Sequence, residues 1–292
     1  MQHPSPTHPA AVAWMAGALV LFTGMAVAVR EVSSELSTIQ ILAVRSVAGL
    51  LIVSALLCRS GWSQIRCTHL KLHLLRNAAQ FGGQFSWLYA IAAIPLATVF
   101  AIEFTAPIWT AIFAALLLGE RITPVRMFAI ACGLTGVLLI LRPGAGIIHP
   151  AALVMLAGAI SFGLAYTMTK KLTGRESMLA ILFWMSALQV PVSVIPALWH
   201  WTPLAPQHAP WLLLIACGGL GAHYCMVRAL ALADATVVVT LDFLRLPLIT
   251  LIGYWIYSEP ADWYLAAGAA LILAANLVNV FGRQPKPANT QA

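Results

Sequence analysis

The sequence predicts an all-α polytopic membrane protein with ten transmembrane helices, arranged as two inverted five-helix repeats. Composition is the first reason: hydrophobic residues make up 61% of the 292 positions and charged residues only 9%, against roughly 25% charged residues in a soluble domain. The apolar runs are also continuous, and several reach the roughly 20 residues that a helix needs to cross a bilayer. Finally, the pattern of the first half of the chain returns in the second half.

The apolar runs divide the chain into ten predicted helices. Helices are favoured over strands because the runs do not alternate in polarity and an open sheet cannot cross lipid. We interpret the first run as a retained helix and not a secretory signal, because no Lys or Arg precedes it. The predicted spans are 10–29, 38–57, 73–93, 97–118, 125–141, 150–169, 178–198, 210–232, 236–256 and 263–281.

The repeat has a constant register. Glu103 corresponds to Asp242 and Glu120 to Glu259, and the numbers in both pairs differ by 139. Because five helices per unit is an odd number, the second unit must enter from the opposite side of the membrane, an arrangement found in secondary transporters. We therefore predict a tail over 1–9, a first repeat over 10–142, a second repeat over 150–282 and a tail over 283–292.

Basic residues in the connecting segments predict the orientation, since cytoplasmic loops carry an excess of Lys and Arg. With the N-terminus inside, only Arg30 and Arg142 fall outside. We expect both termini in the cytoplasm of a bacterial cell and the chain in its inner membrane. The predicted cytoplasmic group comprises Arg59, Arg66, Lys71, Arg121, Arg126, Lys170, Lys171, Arg175, Arg283 and Lys286.

Composition also excludes several kinds of partner. The net charge of +7 is spread singly or in small groups between apolar runs, unlike the basic stripe of a nucleic-acid-binding surface. The five cysteines form no Cys-x-x-Cys pair and are odd in number, which argues against a disulfide framework or a zinc site. We expect no metal, no cofactor and no nucleic acid.

Two membrane helices carry charges that ask for a functional explanation. An ionised Glu103 inside the membrane costs several kcal/mol unless it faces protein, water or a partner. Asp242 and Arg245, three residues apart, share one helical face. They either neutralise each other or point into a cavity opposite Glu103, where two acids and one base would meet the ends of a zwitterion. We favour the cavity, because Pro107 and Pro247 each free a backbone carbonyl and kink the helix.

Two further helices offer a second set of candidates. Gln84 and Trp87 follow one stripe of helix 3, and His223 occupies the matching place in helix 8, next to Tyr224. They are either substrate-binding residues or interhelical hydrogen-bonding groups. Aromatic walls would come from Trp87, Phe104, Tyr224 and Phe243. If a proton is coupled to transport, its candidate carriers are Glu103, Asp242 and His223, with Glu103 first.

Several segments resemble drug/metabolite transporters of the EamA type over nearly all of residues 10–282. The resemblance is carried by Ala43-Val44-Arg45, Ala90, Pro95-Leu96-Ala97, Pro107 and Leu118-Gly119-Glu120-Arg121. It implies ten helices with both ends inside, a cavity built from helices 1, 3, 4, 6, 8 and 9, and alternating access driven by a gradient. The second copy departs from the pattern, with Trp184 in place of a second Arg45 and Asp234 in place of Pro95.

Arg45 lies seven residues into helix 2, too deep to reach the membrane surface easily. It either binds an anionic group or pairs with a carboxylate that holds helix 2 in the bundle. The family resemblance favours the structural pairing.

We expect a secondary active transporter that exports an amino acid or a related amphipathic metabolite. Import of a vitamin-like or nucleoside-like metabolite, such as riboflavin or S-adenosylmethionine, is the alternative. An intramembrane enzyme is disfavoured, since no His-Glu-x-x-His, paired aspartates or Gly-x-Ser-x-Gly occurs. A passive channel would show rings of like charge or filter loops. The expected partners are the small-molecule substrate, the lipid bilayer and a coupling proton, for a monomer or homodimer.

Overall fold

The computed structural model describes residues 9–65, 69–120, 123–142, 149–173, 176–233, 238, 241–260 and 262–281. Both predicted tails lie outside the described residues, apart from Pro9. So do Arg66, Arg121, Arg175, Asp234, Arg283 and Lys286. Within the described part of the chain, all regular structure is helical.

Eleven α-helices are defined in the described residues. They are α1 (Pro9–Val32), α2 (Thr38–Ser60), α3 (Leu70–Ala93), α4 (Leu96–Glu103), α5 (Ala106–Leu118), α6 (Pro124–Leu141), α7 (Pro150–Thr173), α8 (Met178–Trp199), α9 (Ala209–Leu232), α10 (Arg245–Tyr257) and α11 (Trp263–Phe281). Short 3₁₀ turns, Trp62–Ile65 and Pro206–His208, precede α3 and α9. Counting α4 and α5 together as one, seven spans of the described chain are long and apolar enough to cross a membrane. The prediction of a polytopic helical membrane protein is thereby confirmed.

The predicted span 97–118 matches the candidate membrane span Leu96–Leu118, within which the helix is interrupted once. α4 ends at Glu103, Phe104 and Thr105 form a turn, and α5 begins at Ala106. The predicted span 236–256 contains a similar interruption. Its described part is helical at 241–242, turns at 243–244 and continues as α10.

Four helix pairs form the main packing contacts of the bundle: α1 with α9, α2 with α8, α3 with α7, and α6 with α11. Glycines permit the closest of these approaches. A Cβ atom built on Gly136 of α6 would lie 2.7 Å from the carbonyl oxygen of Gly268 in α11. The two backbones therefore touch, as small residues allow in membrane helix pairs.

The short helix α4 occupies the centre of the bundle. Most of its residues are buried, and the side chains of Leu96, Phe100 and Ile102 are fully enclosed. A helix that is apolar all round is expected in such a position, because no face of it is available to water. The end of α4 therefore carries Glu103 into the interior of the protein.

Helix ends repeat between the two halves. Gly119, after α5, and Ser258, after α10, both adopt the left-handed conformation, with φ of 69° and 52°. The residues that follow, Glu120 and Glu259, donate their backbone N–H groups to Ala114 and Gly253, at 3.3 and 3.0 Å. These N–H bonds satisfy carbonyl groups that the last helical turn leaves free.

Candidate functional site

The site begins at the break between α4 and α5. Pro107 lies in the first turn of α5, where its missing N–H is not needed. The backbone carbonyl of Phe104 accepts a hydrogen bond of 2.7 Å from Nδ2 of Asn276, a buried residue of α11. The break is therefore fixed by a neighbouring helix.

The second break meets the first. Phe243 lies in the turn before α10, and its ring contacts that of Phe104 edge to face, with centroids 5.4 Å apart. Pro247 lies in the first turn of α10. The interruptions lie two to four residues before Pro107 and Pro247, the prolines at which the sequence predicts kinks. Each proline stands at the start of a new helix, a position that proline tolerates.

The two breaks bring three charged side chains together, which we call the charged triad: Glu103, Asp242 and Arg245. Nη2 of Arg245 donates to Oδ2 of Asp242 at 3.3 Å and lies 3.7 Å from Oε1 of Glu103. Trp87 of α3 donates its indole N–H to Oε2 of Glu103 at 2.7 Å. With both acids ionised, the triad carries one net negative charge.

Aromatic rings enclose the Arg245 guanidinium. Its Cζ atom lies 4.8 Å from the ring centroid of Phe22, 5.0 Å from that of Phe104 and 5.3 Å from that of Phe100. A guanidinium over a ring face is attracted by the negative face of the π system, and more strongly where water is excluded. Arg245 is thus fixed by two acids and three rings.

The triad keeps unused hydrogen-bonding capacity. Oδ1 of Asp242 and Nε of Arg245 are buried and have no hydrogen-bond partner among the described residues. A buried polar atom without a partner costs about 1–3 kcal/mol, so such atoms ask for an explanation. A polar ligand at this place would gain hydrogen bonds that the protein does not make to itself.

His223 lies beyond Phe22 as seen from the triad. Its ring contacts Phe22 edge to face at 5.2 Å, and Nδ1 lies 2.7 Å from the carbonyl oxygen of Gly219. Because a carbonyl can only accept, Nδ1 carries the proton and the Nε2 atom is left for other contacts. His223 is an exposed residue that is linked to Arg245 through the ring of Phe22 and makes no hydrogen bond to the acids among the described residues.

The other predicted residues lie apart from the triad. Tyr224 is 57% exposed and contacts Trp14 edge to face at 5.8 Å. Gln84 is buried one turn before Trp87 on α3. No hydrogen bond joins it to the triad within the described residues. Arg45 of α2 lies against α9, with its Nη2 atom 3.4 Å from the position of a Cβ atom built on Gly219.

Sequence reasoning missed the residues that hold the site in place. Phe22 and Phe100 surround Arg245, but aromatic residues are common in apolar helices, and nothing in the sequence distinguishes these two. Asn276 did leave a signal, as a polar residue in the otherwise apolar run of the last helix.

The fold and the site define a multi-pass helical membrane protein with charged groups held at the meeting point of two broken helices. The chain belongs to the EamA-like transporter family, whose model matches residues 9–142 and 149–281. The predicted resemblance to EamA-type drug/metabolite transporters is thereby confirmed.

Similar proteins place the chain among transporters of small metabolites. It is 35% identical to a riboflavin transporter of Rhizobium johnstonii over 79% of this chain and 78% of that protein. It is 25% identical to an S-adenosylmethionine uptake transporter of Rickettsia bellii over 95% and 96% of the two chains. It is 28% identical to the pseudopaline exporter CntI of Pseudomonas aeruginosa over 87% and 90%.

One solved crystal structure matches the fold with a TM-score of 0.63 at 18% identity, over 94% of this chain and 98% of the other. The family and the relatives are transporters, which confirms that this chain is a transporter and not an enzyme.

Proposed function

We propose that this protein is a secondary active transporter of the bacterial inner membrane that moves a small amphipathic metabolite by alternating access. The charged triad is the observation that carries the proposal. Its acids lie at the ends of interrupted helices, and Asp242 and Arg245 each keep one buried polar atom without a partner among the described residues. Interrupted membrane helices supply such sites in transporters, since irregular backbone at membrane depth is tolerated only inside protein or beside a cavity.

The helix contacts support two inverted five-helix repeats over 10–142 and 150–282, with both termini cytoplasmic. When the repeats are exchanged, the contact between α1 and α9 becomes the contact between α7 and α3. The pairs α2 with α8 and α6 with α11 are exchanged onto themselves. All four are main contacts of the bundle, as an approximate two-fold axis in the membrane plane would require.

Two equivalent acids act as gates in the proposed cycle. Glu259 is 9% exposed, pairs with Arg30 at 2.6 Å and accepts the backbone N–H of Leu96 at 2.9 Å. Glu120, its counterpart, is 27% exposed and pairs with Lys170 and with Arg126. Glu259 is the more buried of the two acids, so we assign the closed gate to the Glu259 side. Transport would exchange the two environments.

One proton would neutralise the net negative charge of the triad. Protonation of Glu103 would leave Asp242 and Arg245 as a neutral pair, and Glu103 has only Trp87 as a hydrogen-bond donor among the described residues. We propose Glu103 as the first coupling candidate, before Asp242 and His223. A cationic or amino group of the substrate would replace the proton at the same acids.

Export of an amino acid or a related metabolite is the first candidate direction. Import of a vitamin-like or nucleoside-like compound is the second candidate, favoured by the riboflavin and S-adenosylmethionine transporters among the relatives. The aromatic rings around the triad suit a flat ring system equally well.

Counterflow in proteoliposomes tests the proposal. The panel contains riboflavin, S-adenosylmethionine and individual amino acids, each offered from either face of the membrane to establish direction. Replacing Glu103 by Gln together with Asp242 by Asn should lower flux about tenfold or more, the effect of losing a hydrogen bond to a charged group. Asp262→Asn, in a half-exposed surface pair, is the matched control.

Unchanged flux in the double variant would remove the triad from the mechanism. Flux that does not saturate would indicate a channel, because a channel conducts without a conformational cycle for each molecule.

A further inference from the structure

We propose that Arg45 is the receptor for a carboxylate group of the substrate, at a subsite separate from the charged triad. The inference rests on the proposed transport function and adds the substrate class: a zwitterionic metabolite, whose carboxylate binds Arg45 and whose cationic group binds the acids of the triad.

The acids that the structure describes leave Arg45 without a carboxylate partner. Of the nine acidic residues, only Asp234 lies outside the described residues. The other eight form hydrogen bonds or ion pairs elsewhere: Glu31 with Tyr257, Glu35 with His208, Glu103 with Trp87, Glu120 with Lys170, Glu176 with His73, Asp242 with Arg245, Glu259 with Arg30 and Asp262 with Arg142.

Among the described residues, no carboxylate pairs with Arg45. Its guanidinium lies against Gly219 of α9 instead. Of the two predicted roles of Arg45, the geometry of the described residues therefore favours the binding of an anionic group.

The surroundings of Arg45 form an interior corner between three helices. The same Cβ position on Gly219 of α9 lies 3.4 Å from Nη2 of Arg45 and 3.4 Å from Sδ of Met25 in α1. A glycine at this place lets the guanidinium lie directly against the α9 backbone. Gly219 also holds His223 through its carbonyl oxygen, so the two cationic or potentially cationic groups share one corner.

Arg245 is not available to bind a carboxylate of the substrate. It is already bound to two acids and enclosed by three aromatic rings. Arg45 has no ion pair, hydrogen bond or ring contact in the described part of the chain. An unpaired guanidinium inside a membrane protein is costly, and its planar fork matches a carboxylate in a bidentate manner. Arg45 is thus the arginine left for an anionic ligand.

Arg45 and the charged triad lie at opposite ends of the region that Phe22 and His223 occupy. His223 shares Gly219 with Arg45 and contacts the ring of Phe22, over which Arg245 lies at 4.8 Å. His223 therefore lies between Arg45 and the triad. A ligand lying along Phe22 and His223 would present an acid at one end and a base at the other. A ligand with only one of these two groups would compensate the charge of Arg45 or the charge of the triad, but not both.

Paired probes that differ only in the carboxylate test the inference. In proteoliposomes, the inhibition constant of S-adenosylmethionine is compared with that of decarboxylated S-adenosylmethionine, and that of each amino acid in the panel with that of its amine. The wild type should prefer the carboxylate form about ten- to hundredfold, the value of one charged hydrogen bond. Arg45→Gln should bring the ratio near one, and Arg45→Lys, which keeps the charge, should give an intermediate ratio.

Arg228→Gln is the control, since Arg228 stacks on Trp14 at 5.5 Å and should keep the wild-type ratio. If Arg45→Gln fails to fold, the Arg45→Lys ratio decides. A wild-type ratio near one, a ratio unchanged in both Arg45 variants, or transport of riboflavin alone would overturn the Arg45 assignment and leave the transporter intact. Wild-type protein that transports no probe would overturn the proposed function, and the inference with it.

Discussion

The buried pair between Arg30 and Glu259 makes the sharpest prediction, because an equivalent exposed pair exists in the same chain. Glu259→Gln removes one charge and leaves the Arg30 guanidinium in a half-buried site. Arg30 would keep its bonds to the carbonyl groups of Ile91 and Ile94 but lose its only charged partner in the described residues. Glu120→Gln makes the same chemical change at the counterpart position.

The two environments set the magnitudes. At 2.6 Å and an effective dielectric constant of about 20, the attraction between the charges of Arg30 and Glu259 is about 6 kcal/mol. Desolvation offsets part of it, and breaking a buried pair costs about 3–5 kcal/mol in practice. At Glu120 one partner, Arg126, lies 3.2 Å away in a more exposed setting, where such pairs contribute about 0–1 kcal/mol.

Thermal unfolding of the purified protein in lipid nanodiscs measures both variants. Glu259→Gln should melt several degrees below wild type, and Glu120→Gln within about two degrees of it. In a double-mutant cycle with Arg30→Gln, the second substitution should cost much less once the first is present. Equal shifts for Glu259→Gln and Glu120→Gln, or additive losses in the cycle, would refute the assignment of the buried pair as the closed gate.

Three further predictions concern stability. Ser258→Gly should raise the free energy of unfolding by about 0.5–1 kcal/mol, and the melting temperature with it, because Ser258 holds φ of 52°, where glycine is unstrained; a lower melting temperature would contradict this. Gly136→Ala should cost about 1–3 kcal/mol, because the new Cβ atom meets a backbone oxygen of α11 at 2.7 Å; near-wild-type melting would show that α6 and α11 can separate freely. The hydrogen bond from Lys170 holds the pKa of Glu120 below its usual value, so its stabilisation is present above the unfolded pKa of about 4.3 and is lost as pH falls further. The melting difference between wild type and Glu120→Gln should therefore shrink below about pH 4, and a difference that grows there would refute it.

The fold class could be predicted because lipid leaves few choices. Continuous apolar runs can only be helices, and their lengths follow from the thickness of the bilayer. The register of the repeat carries further information. It relates Glu103 to Asp242 by their positions in the sequence alone, and these two acids meet on Arg245.

The helix break could not be predicted from local sequence. Pro107 indicates a disturbance, but a proline is compatible with a kink, a new helix start or a bulge. The choice depends on the carbonyl of Phe104, which is satisfied by Asn276, 172 residues later. Contacts at that separation follow from tertiary packing, so the apolar run by itself predicts one continuous helix.

The sequence also could not show which charged residues pair with each other, and these pairings change the functional argument. Spacing identifies Arg245 as the arginine next to an acid, and the family resemblance favours Arg45 as the residue that holds helix 2. In the structure Arg245 is saturated by Asp242, Glu103 and three rings, while every described acid is bound without Arg45. A triad with one excess negative charge and a separate arginine with one excess positive charge therefore face the same interior. That separation of charge favours a ligand with both signs over a ligand with either sign alone.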